Sequence, residues 1–151
     1  MQVGIISDTH GLMRPEALTA LRGCELILHA GDIGRSAILE ALRAIAPVTA
    51  IRGNVDRQGW AAGLPRTDLV EADGRALYLV HDVNDLDLDP AAVGVCAVIS
   101  GHSHRPEIRW RKGILYLNPG SAGPRRFRLP VTLARLEMSD GRLAPELVSL
   151  D

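Results

Sequence analysis

The residues able to do chemistry fall into short polar clusters: Asp8 with His10, Asp32, Asn54, His81, and His102 with His104. Each cluster follows a short apolar run, and each alone reads as ordinary turn or capping chemistry. Together they offer seven nitrogen and oxygen donors, and four of the five histidines in the chain belong to them. Imidazole, carboxylate and amide donors without thiolate fit borderline or moderately hard divalent ions: manganese, iron, zinc or nickel. Seven donors exceed the needs of one tetrahedral zinc. They suit two ions sharing a carboxylate, and ions about 3.5–4 Å apart can clamp the oxygens of an in-line displacement at phosphorus. The fifth histidine, His29, sits at the end of an apolar run and reads as structural.

Those clusters need elements to position them. Residues 3–6 form the first apolar run, and a helix over 15–21 begins at Pro15, which suits a first turn. A second strand is expected over 25–28. A helix capped by Ser36 and running to about Ala46 follows, with Ile38, Leu39, Leu42 and Ile45 at helical spacing. Pro47 stops it before a third strand over 48–51. Strand–helix alternation predicts a mostly parallel sheet, and sites in such sheets form beyond the carboxyl ends of the strands. If the strands are neighbours, the seven donors converge on one sheet edge. The later chain is largely β. A loop over 57–67 precedes strands at 68–71 and 75–80 joined at Asp73-Gly74, a hairpin signal. Further strands are expected at 97–100, 108–111, 114–117, 131–137 and 143–150, with a short helix over 90–93.

Length and composition bound the rest. The 151 residues fit one domain, 1–151, large enough for a core without disulfide or metal staples. Cys24 and Cys96 form no disulfide framework and read as buried thiols. Seventeen basic residues against eighteen acidic exclude a broadly basic nucleic-acid binder. The chain opens without the features of a signal peptide and holds no apolar run near the roughly 20 residues that span a bilayer, so a cytoplasmic location is expected.

The ordered series DTH, HAGD, GNVD, His81, GHSH and NPGS resembles the calcineurin-like metallophosphoesterases, most of all small phosphodiesterases of the YfcE type. The resemblance runs from Ser7 to Ser121. It implies an α/β fold, a four-layer αββα sandwich, and two divalent metal ions, manganese first. Asp8, His10, Asp32 and His104 would ligate one ion, and Asp32, Asn54, His81 and His102 the other, with Asp32 bridging. The nucleophile would be a metal-bridging hydroxide, so no side chain attacks and no catalytic residue is assigned. Asn54 would also lie near the substrate phosphate, and Arg57 and Arg105 are candidates to meet it. The implied partner is a phosphate-ester substrate, with nucleic acid only as a substrate and no membrane; nothing in the sequence sets an oligomeric state.

Two departures from the family pattern stand out. Many relatives carry a histidine after the metal-binding Asn, able to protonate the leaving group, whereas this chain has Val55. The family's His-Gly-His around His81 reads His81-Asp82-Val83. Slow turnover of poor leaving groups is therefore expected. The alternative reading is a non-catalytic metal-binding scaffold of the same fold, as in the retromer scaffold subunit.

Overall fold

The computed structural model describes residues 1–57 and 59–151; Gln58, within the expected 57–67 loop, lies outside the described residues. Two five-stranded sheets account for most of the chain. The first has the order β10-β9-β1-β2-β3. It contains β1 (Gln2–Ile6), β2 (Leu26–His29), β3 (Val48–Ala50), β9 (Thr132–Ser139) and β10 (Arg142–Ser149). The second has the order β4-β5-β6-β8-β7. It contains β4 (Thr67–Ala72), β5 (Arg75–Val80), β6 (Val95–Ile99), β7 (Glu107–Arg111) and β8 (Ile114–Asn118).

The main core lies between the sheets. Val3 and Ile5 of β1, Leu28 of β2 and Leu136 of β9 pack there with Leu77, Leu79, Ile99, Leu115 and Leu117 of the second sheet. The opposite face of the first sheet turns Ile6 and Ile27 toward α1 (Pro15–Ala20) and α2 (Ser36–Arg43). Alternation along each strand thus supplies two cores from one sheet. The outer face of the second sheet, with Tyr78, Val80 and Val98, is covered by Val83, Leu86 and Leu88. The fourth layer of the sandwich is thin: a 3₁₀ turn at Val83–Asp85 and a loop stand where helices were expected. Among the described residues no helix is long and apolar enough to cross a membrane.

Several local expectations are revised. Residues 90–93 form turns instead of a helix, because four residues cannot repay helix nucleation. Ser36 occupies the first helical position of α2, and Arg35 is the cap residue, without a side-chain capping bond. α2 ends at Arg43, three residues short of Ala46. Cys24 and Cys96 are free and buried.

His29 is structural, as expected. Gly31 N–H donates to its Nδ1 (3.1 Å), so its proton sits on Nε2, facing Thr9 Oγ1 at 3.0 Å; Thr9 in turn donates to Ile33 O. Burial first, then the charges of His81 and His10 against the pull of Asp32, hold the imidazole down to about 3 from 6.5. The unfolded chain takes up this proton near pH 6.5 and the folded one only near 3. The stabilisation is therefore intact above pH 6.5 and is lost progressively as pH falls toward 3, on the order of 5 kcal/mol over that span. Urea unfolding between pH 7.5 and 4.5 is expected to show a shallower pH dependence for His29→Gln than for the parent; equal slopes would refute the assignment.

Candidate metal centre

Strand register brings the donor clusters to one level. Ile6 pairs with His29 and His29 with Ala50 in parallel ladders, so Asp8, Asp32 and Asn54 follow strands that end side by side. Leu79 pairs with Ile99 in the second sheet, which aligns His81 with the His102 loop. The ladders continue past the strands: Asp8 N–H donates to Gly31 O, His10 N–H to Asp32 O, and Gly101 N–H to His81 O. The expectation of a single sheet edge is corrected here. Asp8, His10, Asp32 and Asn54 follow strands of the first sheet, whereas His81, His102 and His104 follow strands of the second. The donors meet across the seam between two face-packed sheets, because the chain changes sheet after β3.

Backbone conformation marks the same positions. Asp8, His10, Asp32, His102 and His104 all adopt positive φ, between 45° and 71°. The hairpin residues Asp73, Lys112 and Asp140 do so too, but each precedes a glycine in a two-residue turn. At the donor clusters no hairpin geometry requires it. Such strain persists where surrounding contacts over-determine it, and it concentrates at functional sites.

Close approach explains two glycines. A Cβ on Gly53 would collide with Asp32 Oδ1 and its backbone nitrogen. One on Gly101 would strike Ser7 Oγ and come within 2.6 Å of Asp8 Oδ2. The acidic side chains are thus set against bare backbone from both sheets.

At the centre, Asp8 Oδ1 is buried and accepts no hydrogen bond. Three imidazole Nε2 atoms surround it: His104 at 3.5 Å, His10 at 3.9 Å and His81 at 3.9 Å. Asp32 Oδ2 lies 3.2 Å from His81 Nε2 and 3.7 Å from His10 Nε2. His10 and His104 face each other, Nε2 to Nε2, at 3.3 Å. Two groups of donors therefore satisfy metal-ligand proximity, Asp8-His10-His104 and Asp8-Asp32-His81. The other carboxylate oxygens are anchored. Asp8 Oδ2 accepts from Ser7 Oγ and His102 N–H, and Asp32 Oδ1 from Val55 N–H.

The protonation states fit a cation. His81 Nδ1 lies 2.7 Å from Ala30 O, which fixes a proton on Nδ1 and aims the Nε2 lone pair at two carboxylates. A lone pair facing carboxylate oxygens needs a positive charge between them. Burial opposes protonation of His81, but its contacts with Asp32 and Ala30 and the charges of Asp8 and Asp32 raise it to about 9. The carboxylates of Asp8 and Asp32 thus draw positive charge toward His81 Nε2. Burial would raise the Asp32 carboxyl, yet His81, Val55 N–H and His10 hold it down to about 2. Burial, then the charges of Arg126 and His10, lowers His104 to about 4, which leaves its imidazole neutral near pH 7. Burial pushes the Asp8 carboxyl upward against His81 and Ser7. The donor set fits divalent metal ions.

The open side holds Asn54 and His102, whose Nδ2 and Nδ1 are 3.5 Å apart. His102 Nε2 lies 3.6 Å from Asp82 Oδ2. Asp82, His102, Ser103 and Arg105 line a hollow of about 200 Å³ beside the centre. Arg105 is exposed and also lines a broader surface with Phe127, Arg128 and Leu129. Arg57 is exposed, with Nε donating to Asn54 O at 3.0 Å. Five of the seven expected donors, Asp8, His10, Asp32, His81 and His104, come together at the seam. Asn54 and His102 face each other on its open side, with Arg57 beside Asn54 and Arg105 in the adjoining hollow.

The 1–141 segment matches the model of the calcineurin-like phosphoesterase superfamily domain. The chain belongs to the calcineurin-like phosphoesterase superfamily. A probable metallophosphoesterase of Methanothermobacter thermautotrophicus is 36% identical over 160 residues, spanning 98% of this chain and 92% of that protein. Two solved phosphoesterase-fold structures cover 100% of both chains. Yfce, a phosphoesterase from E. coli, superposes at TM-score 0.72 with 21% identity. Vps29 from Entamoeba histolytica, complexed with zinc, superposes at TM-score 0.74 with 23% identity. These likenesses place the mixed α/β fold, with two sheets and few helices, among the metallophosphoesterases.

Within this superfamily fold, Asp56 and Ser121 support the centre; Ser121 belongs to the NPGS motif, whereas no residue type marks Asp56 for that role. Asp56 is 2% exposed and accepts three backbone N–H groups, from Ile33, Gly34 and Gly53, at 2.8–3.1 Å. It clamps the loop after β2 to the loop after β3. Ser121 Oγ donates to Asp8 O, and Asn118 Nδ2 donates to Gly101 O. The NPGS segment therefore braces the donor loops. Asp56→Ala would leave three inward-facing donors unmatched and is expected to cost about 3 kcal/mol or more. Denaturant unfolding at neutral pH checks this; a loss below 1 kcal/mol would remove the clamp from the account.

Proposed function

We propose that the chain is a binuclear metal-dependent phosphoesterase that hydrolyses phosphodiesters in preference to monoesters. The observation that carries this reading is the buried, unsatisfied Asp8 Oδ1 ringed by three imidazole nitrogens at 3.5–3.9 Å. Such an oxygen calls for a cation. One ion is assigned to Asp8, His10, Asp32 and His104, and the second to Asp32, Asn54, His81 and His102. Asp32 as the bridge is supported by Oδ2 facing both His10 and His81. Manganese is the first choice, with iron, zinc or nickel as alternatives. When bound, the ions supply Lewis acidity to the P–O bonds and activate a water as nucleophile.

The chain's own residues divide the remaining work. The Asn54 amide, on the open side, contacts the substrate phosphate, with Arg57 and Arg105 at its flanks. The strained loops hold the acidic donors rigidly, which keeps the centre organised before substrate arrives. Val55 offers no proton, so an ester leaves according to its own basicity. Hydrolysis of bis-p-nitrophenyl phosphate with added manganese, read with metal content, tests the proposal. Stoichiometric binuclear loading and turnover support it, and no turnover with manganese, iron, zinc or nickel refutes it. Val55 is the one observation favouring a non-catalytic metal-binding scaffold, which that second outcome would support.

A further inference from the structure

Three arginines gather on the side of the Asn54 loop. Arg52 N–H donates to Pro65 O at 2.9 Å, which draws Arg66 beside Arg52. Arg57 returns to the same loop through its bond to Asn54 O. Arg52, Gly53, Asn54, Asp56, Arg57 and Arg66 line one cavity of about 260 Å³. Among the described residues, the arginine–carboxylate ion pairs are Arg109–Glu107 and Arg125–Asp151, and none involves these three. The acidic group in the cavity wall, Asp56, has both oxygens occupied by backbone N–H groups. Arg52 Nε is itself buried and has no hydrogen-bond partner. Three guanidiniums against one occupied carboxylate leave an excess of positive charge and unsatisfied donors. Guanidinium forks match phosphate oxygens.

We infer that Arg52 and Arg66, with Arg57 standing between them and the phosphate at the metals, form an anion subsite that takes a second, non-scissile phosphate of the substrate. The inference rests on the phosphoesterase reading and narrows it to esters that carry a further phosphoryl group. Asn54 joins the two sites: its carbonyl holds Arg57, while its amide nitrogen lies 3.5 Å from His102 Nδ1. A phosphate at the arginines would thus neighbour the one held at the metals. The net charge of the chain, −1, makes this local excess the more selective.

The probe is a matched pair, the p-nitrophenyl ester of thymidine 5′-phosphate with and without a 3′-phosphate. In the parent protein the 3′-phosphorylated ester is expected to have a kcat/KM about tenfold higher, the scale of a charge-assisted contact. Arg66→Gln, at an exposed position, and Arg52→Gln should each bring the ratio of the two esters close to one. Equal rates for the pair in the parent, or an unaltered ratio in both variants, overturn the subsite. Binding of inorganic pyrophosphate to metal-free protein, followed by calorimetry, separates this from failure of the catalytic reading. Pyrophosphate binding that weakens about tenfold in Arg66→Gln sustains the subsite even if no ester is hydrolysed. No detectable binding to the parent overturns it.

Discussion

Asp32→Asn is expected to lower the rate of bis-p-nitrophenyl phosphate hydrolysis by about 10³-fold or more, with loss of bound metal. Asparagine is chosen because it tolerates the left-handed backbone, φ 55°, that Asp32 adopts. Its amide oxygen can still accept from Val55 N–H, as Asp32 Oδ1 does. The substitution therefore removes little but charge, at the oxygen facing His10 and His81. Alanine would add backbone strain and blur the result. Asp8→Asn should act similarly, since Asp8 Oδ1 has only the imidazoles around it. Elemental analysis of the purified variants, beside steady-state rates and thermal melts, checks the assignment. Parent-like rates in both variants would sink it.

Val55→His is expected to act in the opposite direction. Val55 is 48% exposed, so an imidazole meets open space. Its contact with Asp32 runs through the backbone N–H and survives the change. A proton supplied there would help alkoxide leaving groups by about 10²-fold, the lower end of general acid effects. Esters of p-nitrophenol, which leave readily as anions, should change by far less. The gain should fade as pH rises past about 6.5, where an ordinary imidazole loses the proton it must give. A variant that speeds both kinds of ester equally, or neither, would show that Val55 does not mark the place of a missing acid.

The parts of this site that could be read directly are the ones that end strands. Apolar runs followed by Asp, Asn or His identify β1, β2, β3, β5 and β6 and the polar loops after them. The meeting of two sheets was not legible in the periodicity, which reports which residues face a core and not which strands share a sheet; it was legible only through the family resemblance, which implies the αββα sandwich. Asp56 carries no signal of its own for a related reason. Its role depends on three backbone N–H groups from two loops, and no residue type announces them. Asp82 stands where the family pattern has glycine, and only the fold brings it near His102. Residues 90–93 carried a helical composition over too short a stretch, and the chain made turns there.

The placement of β1 has a consequence for how the protein comes into being. It lies far ahead of β9 in sequence, yet β1 is a central strand, paired on one side with β2 and on the other with β9, where Val3 meets Leu136. Emerging in order from the ribosome, the chain holds Asp8 and His10 ready long before that second partner exists. Contacts of such long sequence separation form late. The donor loop after β1 thus lacks one flank of its sheet until β9 has been made, and the late pairing of β9 acts as a safety catch on the site.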